Sequence, residues 1–397
     1  MSKIILKGIT WGHSRGITPL LALAQRYNEL HSEVEIQWQK RTLQEFADYP
    51  VEELAKHYDL LIIDHPSVGR MAATGCLLAL DEHLPEPYLK DQLTHSVGYS
   101  HLSYNYENHQ WALAVDAATP AASYRKDMLE TNGIPVPTTW EEVLALAQRG
   151  KVAVPAIPID LLMNLYTFCI AHGKEPFAND TAITDCDTGL RAMATMKELY
   201  ALVDKKMFSC NPIAVAELMT ATDDYWYCPF AYCYSNYSRE GYARKLLHYT
   251  NVVQYNGQLL RTTIGGTGLA VSAHCRHPRA ALDFAALVAS PECQRTMYVQ
   301  HGGQPGHKLA WLDEAANRLT NNFFKELLPV MDNGYVRPRY DGYLDFQERA
   351  GIPLWEYLQD KKSAENAWEE MNRLYRESRK LISKQEMLTA ATGNGQQ

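Results

Sequence analysis

The segment YDLLIIDHP (Tyr58–Pro66) constrains the fold more than any other stretch of the chain. Its apolar residues, Leu60 to Ile63, follow one another without the polar alternation of a strand that faces water. A strand built from them must be covered on both faces, as the central strands of parallel sheets are. Upstream, Ile4, Leu6 and Ile9 mark a first strand, and VEIQWQK (Val34–Lys40) alternates with period two as a second. Between them TPLLALAQRYNELH predicts a helix with Thr18 as cap and Pro19 at its first position. Leu20, Leu21, Leu23, Ala24 and Tyr27 fall on one stripe of that helix. A further helix over Pro50–His57 completes a β-α-β-α-β order, which predicts an open α/β sheet. Ligands of such sheets sit beyond the carboxyl ends of the strands. Here those ends are polar: WGHSRG after the first strand, Asp64-His65 after the third.

At 397 residues the chain exceeds what one hydrophobic core supports, so two compact units are expected. In WALAVDAATPAASYRKDML a strand runs past Asp116 into the second unit. NGIPVPTTWEEVLALAQRG supplies a turn, a Thr139 cap and an amphipathic helix, and the remainder of this unit reads as mostly helical with a short strand at KVAVPAI. The run Tyr225–Tyr242 is dense in tyrosine. In GGTGLAVSAHCRHP the glycines precede a strand and no Gly-Lys-Ser/Thr follows, the reverse of a phosphate-binding loop. A long helix follows from His277, and nothing after Gly306 reads as a strand. RPRYDGYLDFQERAG and SAENAWEEMNRLYRESRK are both expected to be helical.

A net charge of −8 argues against a nucleic-acid partner, and the basic residues between Arg373 and Lys380 read as a solvated helix face. No apolar run is long enough to span a bilayer. Although there are 14 histidines, His274 and His277 stand alone at a spacing of three, without H-E-x-x-H or paired Cys/His motifs, so neither metal nor cofactor is expected. There is no G-x-S-x-G elbow. Eight cysteines are scattered, and Cys228 and Cys233, the closest pair, point to opposite faces if one strand carries both. Scattered thiols fit a reducing compartment. The first residues, MSKIILKGITW, enter a strand without a basic-then-apolar leader. As the chain stands, these features predict a cytoplasmic location.

Four stretches, in order, resemble the family 1 extracellular solute-binding proteins, the sugar-type receptors of ABC importers. They are YDLLIIDHPSVGRMAATGCLLALDEHL, YRKDMLETNGIPVPTTWEEVLALA, GGTGLAVSAHCRHPRAALDFAALVASPECQ, and GGQPGH with the later RPRYDGY. The resemblance implies a periplasmic-binding-protein-like (type II) fold: two α/β lobes joined by a hinge, with a helical C-terminal arm. It places lobe 1 at 1–116, lobe 2 at 117–264, the return to lobe 1 at 265–310 and the arm at 311–397. It further implies a monomer that binds a small polar ligand such as a sugar or polyol between the lobes, with an ABC permease as possible partner. On this reading the location is periplasmic if a leader has been trimmed. An intracellular enzyme or ligand sensor on the same fold is the alternative, with His13 and Asp64 or Asp116 as an acid–base pair.

Within that frame the site candidates follow from chemistry. His13 and Arg15 trail the first strand, and Arg15 can pair with a carboxylate or vicinal hydroxyls. Asp64 and His65 close the buried strand, where Asp64 either accepts from ligand hydroxyls or caps the next helix. Asp116 lies at the crossing between lobes. Trp11, Trp226, Tyr232, Tyr234 and Tyr237 are candidates to stack on a sugar ring, with core packing as the competing role. Asn236 both donates and accepts. Gly265 and Gly266 are expected at the hinge and cleft wall, where glycine permits positive φ and close approach. Arg337 and Arg339 reach either the cleft or a salt bridge between arm and lobe.

Overall fold

The computed structural model describes residues 3–42 and 50–393. Its first sheet is built on the apolar run identified above. β1 (Ile4–Trp11) pairs in parallel with β2 (Val34–Arg41) along its whole length and with β3 (Leu60–Ile63) on its other side. All four residues of β3 are buried. Leu60 and Ile62 join the larger hydrophobic core, whereas Leu61 and Ile63 join a smaller one around Met71, Tyr104 and Ala112. Successive side chains of a strand point to opposite faces, so the double coverage is visible residue by residue. Each such side chain contributes about 1.5–3 kcal/mol on burial.

Helix α1 spans Ser14–Leu30 and starts ahead of the expected Thr18 cap. The His13 side chain is the cap instead, and its carbonyl accepts from Gly16 (2.9 Å) and Ile17 (3.0 Å), leaving Pro19 inside the helix. The expected helix at Pro50–His57 is confined to Val51–Leu54. α2 (Val68–Thr74) and α3 (Glu86–Thr94) precede β4 (Leu113–Ala118), which lies at the far edge of the sheet.

The chain then crosses to a second, antiparallel sheet that begins at β5 (Ala121–Tyr124). Around this sheet lie α4 (Trp140–Gln148), α5 (Pro158–Ala171), α6 (Cys186–Tyr200) and α7 (Pro212–Ala221). Thr139 caps α4 in a capping box with Glu142. β6 (Tyr227–Ala231) and β7 (His248–Thr250) flank β5 on either side. The expected strand KVAVPAI makes only an isolated bridge, Val152 to Tyr227. Its backbone instead lies alongside β6: Ala153 N–H donates to Tyr227 O at 3.0 Å.

β8 (Gly265–Val271) returns the chain to the first sheet, where it inserts antiparallel between β3 and β4 in the order β2-β1-β3-β8-β4. The glycines therefore belong to the strand itself, with Gly265 and Gly266 facing Ala118 and Ala117. The crossing segments are tied side by side. Thr119 donates to Thr263 O (2.9 Å), Thr262 donates to Pro120 O (2.8 Å), and Ile264 and Tyr335 exchange backbone bonds with this layer.

After α8 (Pro278–Ala289), the C-terminal helices are α9 (Phe323–Asp332), α10 (Tyr343–Leu358) and α11 (Ala364–Gly393). The expected helix at RPRYDGY is absent, since α10 begins only at Tyr343 and Arg337 leaves the extended segment before it. α10 packs so tightly on the start of α5 that a Cβ at Gly351 would lie 2.1 Å from Pro158 O. All eight cysteines are free, including Cys228 and Cys233.

Candidate functional site

A cavity of about 630 Å³ lies between the two sheets. On one side, the carboxyl ends of β1, β3 and β4 and the start of β8 supply Trp11, Asp64, Asp116 and Gly265-Gly266. On the other, the first turn of α5 supplies Ile157–Asp160, with Pro212 of α7 and Ile352 of α10 beside it. Tyr232 and Tyr234, from the tyrosine-dense run, and Arg337 close the wall.

The first turn of α1 points Arg15 inward, where it is 3% exposed. Its Nε donates to Asp116 Oδ2 at 2.8 Å and its Nη2 to Asp116 Oδ1 at 2.5 Å. Burial works against this guanidinium's charge, and the Asp116 carboxylate more than offsets it. Burial also raises Asp116 above its ordinary value against the pull of Arg15. Two-point charge-assisted bonding is the reason we treat the pair as ionised. The same guanidinium lies over the rings of Tyr234 (4.8 Å) and Trp11 (5.8 Å), so these two aromatics hold the arginine.

Arg337 makes the second pair. Its Nη2 donates to both oxygens of Asp64 at 2.8 Å and its Nη1 to Gln347 at 2.9 Å. The cleft and salt-bridge roles considered for Arg337 are thus combined in one residue. Burial opposes the Asp64 charge, but Arg337 and a bond from His65 bring the carboxyl down to about 2. Asp64 also accepts from the His65 backbone N–H (2.9 Å), capping the turn that follows β3. Arg339 stays outside the cavity lining and donates to the Leu102 carbonyl at 2.8 Å.

Besides Arg339, five candidates from the sequence do not reach this cavity. His13 caps α1 through Nδ1, which accepts from Arg15 N–H at 3.0 Å. Its ring stacks on Trp11 at 5.6 Å and lines a smaller neighbouring pocket with Lys40 and Arg41. Burial, with Arg15 beside it, brings His13 down to about 4. His65 is wholly buried beneath the wall, and burial with the Arg337 charge lowers it to about 4 as well. Asn236 is buried behind the wall. Of the aromatic candidates, Trp226 donates to Asp223 O (2.7 Å) and Tyr237 to Glu217 (2.7 Å), both away from the cavity. Tyr232 lines it and shares a 3.0 Å hydrogen bond with Thr263.

The sequence reading missed Asp160. This carboxyl sits in the first turn of α5, 6% exposed on the cavity wall, and one of its oxygens has no hydrogen-bond partner. Burial alone pushes it up to about 8, so near neutral pH it is largely protonated and able to donate. The available signal was an acid and an amide, Asp160 and Asn164, in the otherwise apolar run PIDLLMNLY.

Two sheets with a cavity of mixed apolar and charged lining between them are arranged as in ligand-binding clamps. Residues 22–317 match the profile described as bacterial extracellular solute-binding protein, and the chain belongs to that family. Solved structures agree on the fold. Maltose-bound MalE3 of T. maritima superposes with a TM-score of 0.82 at 16% identity, covering 95% of this chain and all of the other (100%). An ABC transporter solute-binding protein from Agrobacterium radiobacter K84 in complex with ribitol gives 0.81 at 18% identity, covering 95% and 99%. A third, from Thermotoga Lettingae TMO bound with alpha-D-tagatose, gives 0.75 at 17% identity, covering 94% and 100%. The fold is therefore the type II periplasmic-binding-protein fold. Among the described residues, no helix is long and apolar enough to cross a membrane.

Proposed function

We propose that this protein captures a small polar solute, a sugar, a polyol or a close relative, in the cavity between its two sheets and delivers it to an ABC permease. The observation that carries the reading is the wall chemistry. Two carboxylate–arginine pairs, Asp116–Arg15 and Asp64–Arg337, are already neutralised, yet each keeps lone pairs or N–H groups to spare. Such a wall suits a neutral molecule rich in hydroxyls, and Tyr232 with the apolar start of α5 suits its carbon face. Relatives of this fold bound to maltose, ribitol and tagatose favour the same class.

In this reading the binding residues are Trp11, Arg15, Asp64, Asp116, Tyr232, Tyr234, Gly265, Gly266 and Arg337, joined by Asp160. The units are lobe 1 (1–116 with 265–310), lobe 2 (117–264) and the arm (311–397). The segments tied through Thr119, Thr262 and Tyr335 act as the hinge, since only short non-helical backbone there must absorb a change in angle. Solute bound from both sides stabilises the closed arrangement. The protein works as a monomer outside the cytoplasmic membrane, in keeping with the family's extracellular description.

Thermal-shift titration of the whole chain with maltose, ribitol, tagatose and related sugars and polyols tests the proposal. Any member bound at 100 times its Kd adds about 2.7 kcal/mol of stability. The shift should shrink in Asp64→Asn and Tyr232→Ala. A full panel without a shift, or a shift that both substitutions leave untouched, would overturn it.

A further inference from the structure

Away from the cleft, three side chains of metal-binding type converge where α3 meets the return segment: Asp91, His95 and His307. Asp91 and His95 lie one helical turn apart on a shared face, at the end of α3. His307 comes from 216 residues further on, and the backbone fixes its approach. Ser96 and His307 form an antiparallel bridge, Lys308 N–H donates to His95 O at 2.6 Å, and Val97 N–H donates to Gly306 O at 3.2 Å. Backbone hydrogen bonds between the two segments thus hold the three side chains together.

We propose that this triad is a binding site for a divalent transition ion of the zinc type. Two imidazoles and one carboxylate form a nitrogen-rich set that suits zinc and its neighbours and suits magnesium or calcium poorly. One potential ligand atom from each residue lies within 4.8 Å of the other two. The Asp91 Oδ2 to His307 Nε2 separation is 3.4 Å. Ligands about 2.0–2.1 Å from a tetrahedral ion stand roughly 3.3 Å apart, so this edge needs almost no adjustment. The Asp91 Oδ1 to His95 Nδ1 edge is shorter, 2.8 Å, the length of a hydrogen bond in which the two groups share one proton. An incoming ion takes the place of that proton, which leaves to solvent.

The surroundings fit an ion better than a plain His–Asp pair. His307 is 2% exposed, and burial lowers its affinity for a proton, favouring the neutral imidazole that a metal requires. Asp91 and Glu292 pull the other way, His95 adds to the lowering, and the nearby Lys308 is engaged by Asp332 at 2.8 Å. Asp91 and His95 are partly open to solvent, which leaves an entry path and room for a water as fourth ligand. The rings of His95 and His307 lie nearly parallel, 5.2 Å apart, over this opening.

An ion here has a structural consequence beyond its own ligands. Three residues before His307, Gln304 donates to Ala117 O (2.7 Å) and accepts from Ser235 N–H (3.1 Å), touching β4 and the tyrosine-dense segment together. Fastening His307 to α3 anchors that bridge.

Isothermal titration of the tag-free, chelator-treated full chain with zinc chloride is the test. We expect one saturable ion per chain, with proton release on binding. His95→Ala and Asp91→Ala, both partly exposed and expected to fold, should each weaken binding about tenfold or more, since even outer partners of metal ligands carry about 10–100-fold. His274→Ala/His277→Ala should leave it unchanged. Absence of saturable binding, or binding unaltered in both His95→Ala and Asp91→Ala, would overturn the assignment and leave the cluster an ordinary ion pair.

Discussion

The two walls of the cavity hold their polar groups in opposite ways. On the wall made by the first sheet, Arg15, Asp116, Asp64 and Arg337 are bound to one another in two-point pairs. On the wall made by α5, α7 and α10, the surface is mostly apolar, with Asn211 and Glu348 beside Asp160, whose unpartnered oxygen has no counter-charge. The first wall is preorganised: its charges are fixed before any solute arrives, so none need be ordered on binding. The second wall carries one polar group that burial keeps neutral, which makes it the more sensitive to pH and to whatever meets it.

If this contrast is right, breaking a pair on the first wall has the largest effect. Arg15→Ala leaves Asp116, 2% exposed, as an uncompensated buried charge, and we expect a loss of about 3–5 kcal/mol in urea unfolding. The double change Arg15→Met/Asp116→Leu should recover most of that, because it removes both charges and keeps the volume. A cost for Arg15→Ala within the roughly 0.5 kcal/mol typical of surface substitutions would mean that the pair does not organise the wall.

Asp160 should instead reveal itself through pH. Burial raises its carboxyl from the ordinary 3.8 to about 8, so the folded state binds a proton that the unfolded chain has released over that window. Stability from this group is complete below about pH 4 and is lost as pH rises toward 8, by at most about 1.4 kcal/mol per unit. Between pH 5 and 7 the wild type should therefore fall by up to about 3 kcal/mol relative to Asp160→Asn, and the two curves should run parallel above pH 9. Parallel curves throughout would show that Asp160 is solvated or paired and that the two walls are alike.

The same contrast explains what could be read before the fold was known. The first wall was legible because its residues end an obvious parallel strand or stand just after one: Asp64 after LLII, Arg15 after the first strand, Asp116 at the crossing. Their pairing with each other was not legible, because Asp64 meets Arg337 across 273 positions. His13 and His65 stay out of the cavity lining for a local reason. One-residue offsets along an extended chain reverse the direction of a side chain, and the cap and turn geometries turned both rings away. The second wall was hidden because it is mostly Ile, Pro and Met, which in sequence look like any core. Gly265 and Gly266 line the cavity, but they read in sequence as a loop ahead of the strand and belong to the strand itself.

Those two glycines give the finest test, since they sit side by side on the first wall with different reasons for being glycine. Gly266 has φ of +97°, and a Cβ there would lie 2.2 Å from Asp116 O, the backbone of the residue that holds Arg15. Gly265 carries no such backbone strain, and its Cβ would meet only the edge of the Tyr232 ring at 3.0 Å, where a small ring movement makes room. Gly266→Ala should therefore cost about 1–3 kcal/mol, and any solute-dependent thermal shift should fall with it as β8 is pushed from β4. Gly265→Ala should cost less than about 1 kcal/mol and act mainly on solute affinity through Tyr232. Equal costs would indicate that the strand, and not the individual contact behind Gly266, sets the geometry of this wall.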